Sequence, residues 1–163
     1  MDKKVIGTNA YIGIMGIKAP AKIDTGADST SVWASNIKMS KDGVLSFTLF
    51  DKSSPFYTGE VIERTDYSTV VTRNSHGGEK ISYRTHLTMK LAGRKINALV
   101  TLSDRSKNNF PILIGKRTIR GKFIVDVSKS VIKTEKNAQT AALNDELKQD
   151  SYKFHQKYFG EGE

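Results

Sequence analysis

Asp24-Thr25-Gly26 sets a carboxylate, a hydroxyl and a glycine in succession after a strand-like run, Ala21-Lys22-Ile23. Small residues follow, Ala27-Asp28-Ser29-Thr30-Ser31. A carboxylate at a strand end, beside residues this small, can meet a second carboxylate at close range. Two carboxylates sharing one proton divide the labour of amide hydrolysis. One stays ionised and activates water; the other stays protonated and donates to the carbonyl oxygen. Like charges about 3 Å apart cannot both ionise, so the pair titrates as a unit. This chain has a single Asp-Thr-Gly, and Asp104 (in LSDRS) and Asp126 (in IVDVSK) stand in different contexts. The second carboxylate must therefore come from another copy, across a two-fold axis. The competing reading of Asp24 is an ordinary turn aspartate.

Short β-type segments must position this loop. Tyr11 to Ile17 and Ala21 to Asp24 read as strands separated by Lys18-Ala19-Pro20. Val44 to Phe50 alternates apolar and polar residues with period two. Ser53-Ser54-Pro55 breaks it, and Glu60 to Glu63 and Thr69 to Arg73 are further β-rich pieces. A Gly-Gly turn in SHGGEK joins Val70–Arg73 to Ile81–Arg84, a hairpin signal. Thr85 to Leu91 alternates again, Ala92-Gly93-Arg94 turns, and Ile96 to Leu102 returns. Pro111 to Ile114 is wholly apolar and Phe123 to Val127 is the last clear strand. About eight to ten short strands with regular turns predict a mainly β fold, a closed barrel or sandwich.

Residues 1–132 form the expected domain, and residues 133–163 differ in kind. In the tail, Leu143, Leu147, Phe154 and Tyr158 fall on one helical face among Lys, Glu, Asp and Gln. One or two helices are expected there, capping the body, meeting a second copy or remaining partly disordered. The 163 residues carry a net charge of +9, with 21 basic against 11 acidic residues before Lys133 and five lysines against six acidic residues from Lys133 onward. A basic body attracts anionic partners, although the same charge also serves solubility alone.

The absence of cysteine excludes disulfides, thiolate metal sites and a cysteine nucleophile. No run reaches the ~20 apolar residues of a membrane helix, and no signal-peptide pattern is read at the N-terminus, which gives a cytoplasmic expectation. His76, His86 and His155 show no HExxH spacing, so no metal is expected. Gly115-Lys116 and Gly121-Lys122 lack the upstream glycine of a phosphate-binding loop, so no cofactor is expected. Nucleic acid is not expected as a partner, because the basic runs carry no interleaved aromatics and no recognised binding motif.

Asp24-Thr25-Gly26-Ala27-Asp28, the later Leu113-Ile114-Gly115 and the hairpin at Ser75 to Glu79 together resemble the retroviral-type aspartic proteases, or retropepsins. The tracts LVTLSDRSKNNFPILIG and PILIGKRTIRGKFIVDVSKS are similar, more narrowly, to bacterial retropepsin-like proteins labelled ATP-dependent zinc proteases. The likeness covers roughly residues 8–132. It implies a retropepsin-like closed barrel and a homodimeric aspartic endopeptidase. Asp24 would activate water, Thr25 would hydrogen-bond across the pair and Gly26 would permit close backbone approach. Ala27 and Asp28 would line the substrate, with Asp28 accepting from its backbone. His76, Gly77 and Gly78 would tip a flap over it. Two positions depart from the bacterial pattern: Asp28-Ser29 stands where Arg-Thr is usual, and Lys116 where Arg is expected. The bacterial family's association with glutamate-adding ligases implies an acidic, glutamate-rich peptide substrate. An extended apolar peptide, as in viral relatives, is the other candidate. The alternative function is a non-catalytic binding module of the same fold for an anionic partner.

Overall fold

The computed structural model describes residues 2–73, 76–133 and 138–160. The chain divides into two compact units, residues 1–132 and 133–163. The first is built almost wholly of strands: β1 (Lys4–Ile6), β2 (Asn9–Ile14), β3 (Ile17–Ile23), β4 (Thr30–Met39), β5 (Leu45–Leu49), β6 (Val61–Arg64), β7 (Ser68–Arg73), β8 (Glu79–Leu91), β9 (Arg94–Ser103), β10 (Ile112–Ile114) and β11 (Phe123–Val125). One helical turn, α1 (Lys116–Ile119), follows β10.

Six strands close into a barrel. The ladder runs β10-β3-β2-β8-β9-β4, and β4 pairs back to β10. Closure removes the free edges that an open sheet would leave. The alternation seen in the sequence sorts side chains inward and outward. Along β3, Ala19, Ala21 and Ile23 are buried. Along β8, Thr85, Leu87, Met89 and Leu91 are buried while His86, Thr88 and Lys90 face out. Ile12, Ile14, Val32, Val100, Ile112 and Ile114 complete a nearly solvent-free interior. β5 and β6 extend the sheet from β4, and there Trp33 and Phe50 pack edge to face at 6.5 Å and Phe50 and Phe56 tilted at 6.0 Å.

Three expectations are corrected. Lys18-Ala19-Pro20 is no break: the turn lies at Met15-Gly16, and β3 runs through Pro20. Proline is tolerated because β10 pairs only from Ala21 onward, so β3 has a neighbour on one side there. The small residues after Asp24 lead straight into β4, a ten-residue strand that the sequence reading passed over. β1 was also missed; it pairs in parallel with β11, and the Asn9 side chain ties the following chain to β2 through the Val131 and Ile132 backbones.

In the second unit, α2 (Ala138–Gln149) and α3 (Ser151–Tyr158) form a helical pair. Asp150 separates them, accepting from the Lys153 N–H as an N-cap, so the expected single continuous face is divided between two helices. Lys157 and the Tyr158 hydroxyl both bond to Glu146, which holds that carboxyl below its ordinary value. Phe154 and Tyr158 pack with ring centroids 4.7 Å apart. Residues 134–137 of the predicted tail lie outside the described residues.

Candidate active site

β3 and β10 run parallel, with Ile23 opposite Ile114, and both strands end at the site. The Asp24 N–H donates to the Ile114 carbonyl at 2.9 Å, and the Ile23 N–H donates to Thr8 at 2.9 Å. The chain turns there, and the Ala27 N–H donates to the Asp24 carbonyl at 3.2 Å. One carboxylate oxygen of Asp24 accepts from the Gly26 N–H at 3.0 Å. Asp24 is half-buried, and Thr25 and Gly26 are exposed. Among the described residues the Thr25 hydroxyl makes no hydrogen bond. A carboxylate with one oxygen pinned and an adjacent free hydroxyl can accept a symmetry-related loop.

The segment after β10 clamps this loop from below. Lys116 and Arg117 N–H groups donate to the Ala27 and Asp28 carbonyls at 2.8 and 3.2 Å. Gly115 N–H donates to the Thr30 hydroxyl at 3.1 Å, and that hydroxyl shares a 2.6 Å bond with Thr118 in a buried setting. The loop and the Leu113-Ile114-Gly115 signature therefore form one structure. Close approach occurs at Gly115, where an added Cβ would lie 2.4 Å from the Ser29 carbonyl oxygen. At Gly26, assigned that role from sequence, a Cβ would meet only the Asp24 carboxylate, at 3.3 Å.

Asp28 stands 70% exposed, with Lys116 Nζ at 3.8 Å and Arg117 at 4.0 Å. Ala27 is half-buried beside it. The predicted flap is the β7–β8 hairpin, with Gly77 at φ +81 in its tip and His76 and Gly78 exposed. Ser75 lies outside the described residues. Val71 and Ile81 face each other across the hairpin and are 57% and 74% exposed. Ile81 shares its side of β8 with the inward-facing Thr85, Leu87 and Met89, so the hairpin carries the barrel's apolar inner face outward.

One charged group escaped the sequence reading. Arg105 is partly buried after β9, and its Nε donates to the Phe110 carbonyl at 3.0 Å. Burial lowers its pKa and the negative charge of Asp24 raises it, so the two groups feel each other. The available signal was the Asp-Arg pair in LSDRS, read only for its acid. Asp104 itself is held below its ordinary pKa, first by Ser106 hydrogen bonds and then by the fields of Lys80 and Lys107. His76, His86 and His155 are exposed, and among the described residues no three metal-ligating side chains gather. Among the described residues no helix is long and apolar enough to cross a membrane. A surface hollow of about 660 Å³ is lined by Val5, Tyr11, Ala92 and Val131 among others, away from the Asp24 loop.

A family model described as RimB-like, retropepsin-like aspartic endopeptidase RimB, matches residues 5–136. Two similar curated proteins, from Shewanella pealeana and Desulfotalea psychrophila, are each named "Probable alpha-L-glutamate ligase". The first is 26% identical over 141 residues, covering 83% of this chain and 31% of that protein. The second is 27% identical over 132 residues, covering 76% and 28%. The chain thus spans about a third of the length of these relatives. A crystal structure of a Legionella pneumophila protein of unknown function matches with a TM-score of 0.59 and 24% identity, over 79% of this chain and 97% of that one. That match speaks for the fold alone.

Proposed function

This chain belongs to the RimB-like family of retropepsin-like aspartic endopeptidases, and we propose that it hydrolyses peptide bonds as a homodimer. The observation that carries the reading is the Asp24 loop: a half-buried carboxylate, fixed through one oxygen by the Gly26 N–H, beside a Thr25 hydroxyl that has no hydrogen-bond partner among the described residues. Two such loops meeting at a two-fold axis would bring two Asp24 carboxylates together, with each Thr25 hydroxyl free to bond to the opposite loop.

The chemistry follows from the shared proton. The ionised Asp24 takes a proton from water as its oxygen attacks the carbonyl carbon, while the protonated Asp24 gives its proton to the carbonyl oxygen. The resulting diol collapses as the C–N bond breaks and the amine leaves with a proton from the pair. Arg105 keeps a positive charge in the neighbourhood of the carboxylates. Asp28 would accept from the substrate backbone, with Ala27 beside it. The hairpin tip at His76, Gly77 and Gly78 would close over the bound chain and exclude water.

The substrate reading is an acidic, glutamate-rich peptide. Two observations support it: the strongly basic body, and the relatives named "Probable alpha-L-glutamate ligase". The test compares wild type with Asp24→Ala on a peptide library that includes poly-glutamate, from acid to neutral pH, with sedimentation of both proteins. Cleavage lost in the variant, with both proteins dimeric and folded, is expected. Equal cleavage by both would assign the activity elsewhere. Silence from both would favour a non-catalytic binding module.

A further inference from the structure

The barrel register assembles a row of lysines on the outer surface, far from Asp24. Gly13 of β2 stands opposite Lys18 of β3 on one side and Lys90 of β8 on the other. Lys90 in turn stands opposite Lys95 of β9. The four positions Lys18, Gly13, Lys90 and Lys95 thus lie in one line across four strands. The three lysines are exposed, and among the described residues none forms an ion pair. Like charges directly opposite one another destabilise a sheet, and here the conflict is left without a compensating acid.

The row lines two shallow adjoining hollows of about 430 and 520 Å³, where Gly13, Gly16 and Gly93 leave little side chain in the way. Lys18 and Lys90 are two strand spacings apart, roughly 10 Å, and Lys90 and Lys95 one, roughly 5 Å. Lys18 precedes Asp24 by six residues on the same extended strand, which sets the row roughly 20 Å from the carboxylate.

We propose that this row is an anion-binding exosite that holds an acidic peptide segment outside the catalytic cleft. Its chemistry selects carboxylates over a nucleic-acid strand. Single strands bind where bases stack on free aromatic faces. The one aromatic ring lining these hollows, Tyr11, already has Lys18 Nζ over it at 5.1 Å. Lysines are flexible point charges, and no arginine fork lines either hollow to grip phosphate in two bonds. The exosite deepens the acidic-substrate reading above but stands on its own register and charge.

The test is fluorescence anisotropy of labelled decaglutamate with the full chain carrying Asp24→Ala, so that binding is read without turnover. Adding Lys90→Glu and Lys95→Glu should raise Kd by about tenfold or more, while a thermal melt shows the fold intact. Reversing Lys41 and Lys52, exposed turn residues with the same total charge change, should move Kd by less than about twofold. Equal weakening by both pairs, or by neither, overturns the exosite. Tighter binding of a ten-nucleotide single strand to the row overturns the peptide as its occupant. Row-dependent binding, together with a wild-type protein that cleaves no peptide of the library, refutes the peptidase and supports the exosite. Cleavage by wild type combined with row-independent binding refutes the exosite alone.

Discussion

Gly115 lies so close to the backbone of Ser29 that a Cβ there would sit 2.4 Å from the Ser29 carbonyl oxygen and 2.6 Å from its carbon. Those atoms belong to backbone at the entry to β4, which cannot swing aside as a flexible side chain would. Gly115→Ala is therefore expected to cost about 1–3 kcal/mol of stability and to displace the loop that carries Asp24. Gly26→Ala meets only a carboxylate oxygen at 3.3 Å. It should melt near wild type yet lose peptidase activity, because it disturbs the group that fixes Asp24. Paired thermal melts and peptide-cleavage assays check both; a Gly115→Ala protein as stable as wild type would refute the clamp.

The buried hydroxyl pair beneath the loop gives a graded expectation. Thr118→Val leaves the Thr30 hydroxyl accepting from Gly115 but without its 2.6 Å partner. Thr30→Val strands both the Gly115 N–H and the Thr118 hydroxyl. Each should destabilise by about 1–3 kcal/mol, Thr30→Val more, and the double variant should cost little beyond Thr30→Val. Denaturant titration of the three proteins reads the cycle, and simple additivity would show that the hydroxyls act separately.

Asp104 predicts a pH dependence. Its folded pKa lies below the ordinary value because Ser106 hydrogen bonds, with Lys80 and Lys107 nearby, favour the charged form. A depressed carboxyl pKa contributes stability above its unfolded value, and that contribution is lost as pH falls through the folded value. Ser106→Ala should therefore be less stable than wild type at neutral pH, with the gap closing in strong acid. The group is largely exposed, so the gap should be small and shrink in high salt. Melting curves from neutral pH into acid test this; a gap that widened on acidification would reverse the sign.

The lysine row links stability to binding in opposite senses. Lys95→Glu places an acid directly opposite Lys90. It should raise stability by about 0.2–1 kcal/mol while weakening decaglutamate binding. The gain in melting temperature should fade as ionic strength rises. A variant destabilised at low salt would mean that the facing lysines do not repel.

Much of the site was legible because its signals are local. The Asp24-Thr25-Gly26 turn, the Gly77 hairpin and the Ala92-Gly93 turn depend on a few successive φ/ψ choices, and glycine at positive φ marks two of them. Alternation announced the strands β5, β8 and β9. Pro20 misled because proline breaks most strands, and only the pairing of β10 explains its tolerance here. β4 was missed because its start, Thr30-Ser31, reads as more of the small-residue loop.

Composition and residue order establish that Asp-Thr-Gly occurs once per chain, that no thiol chemistry is possible, and that many short strands must position its loop. Folding is what presses Gly115, rather than Gly26, against the Ser29 backbone, brings Thr30 and Thr118 together from 88 residues apart, and sets Arg105 in the field of Asp24. It alone aligned Lys18, Lys90 and Lys95. Turn and strand preferences are written in neighbouring residues, whereas register and close approach arise when distant segments close the barrel. No short window of sequence contains both partners of such a contact.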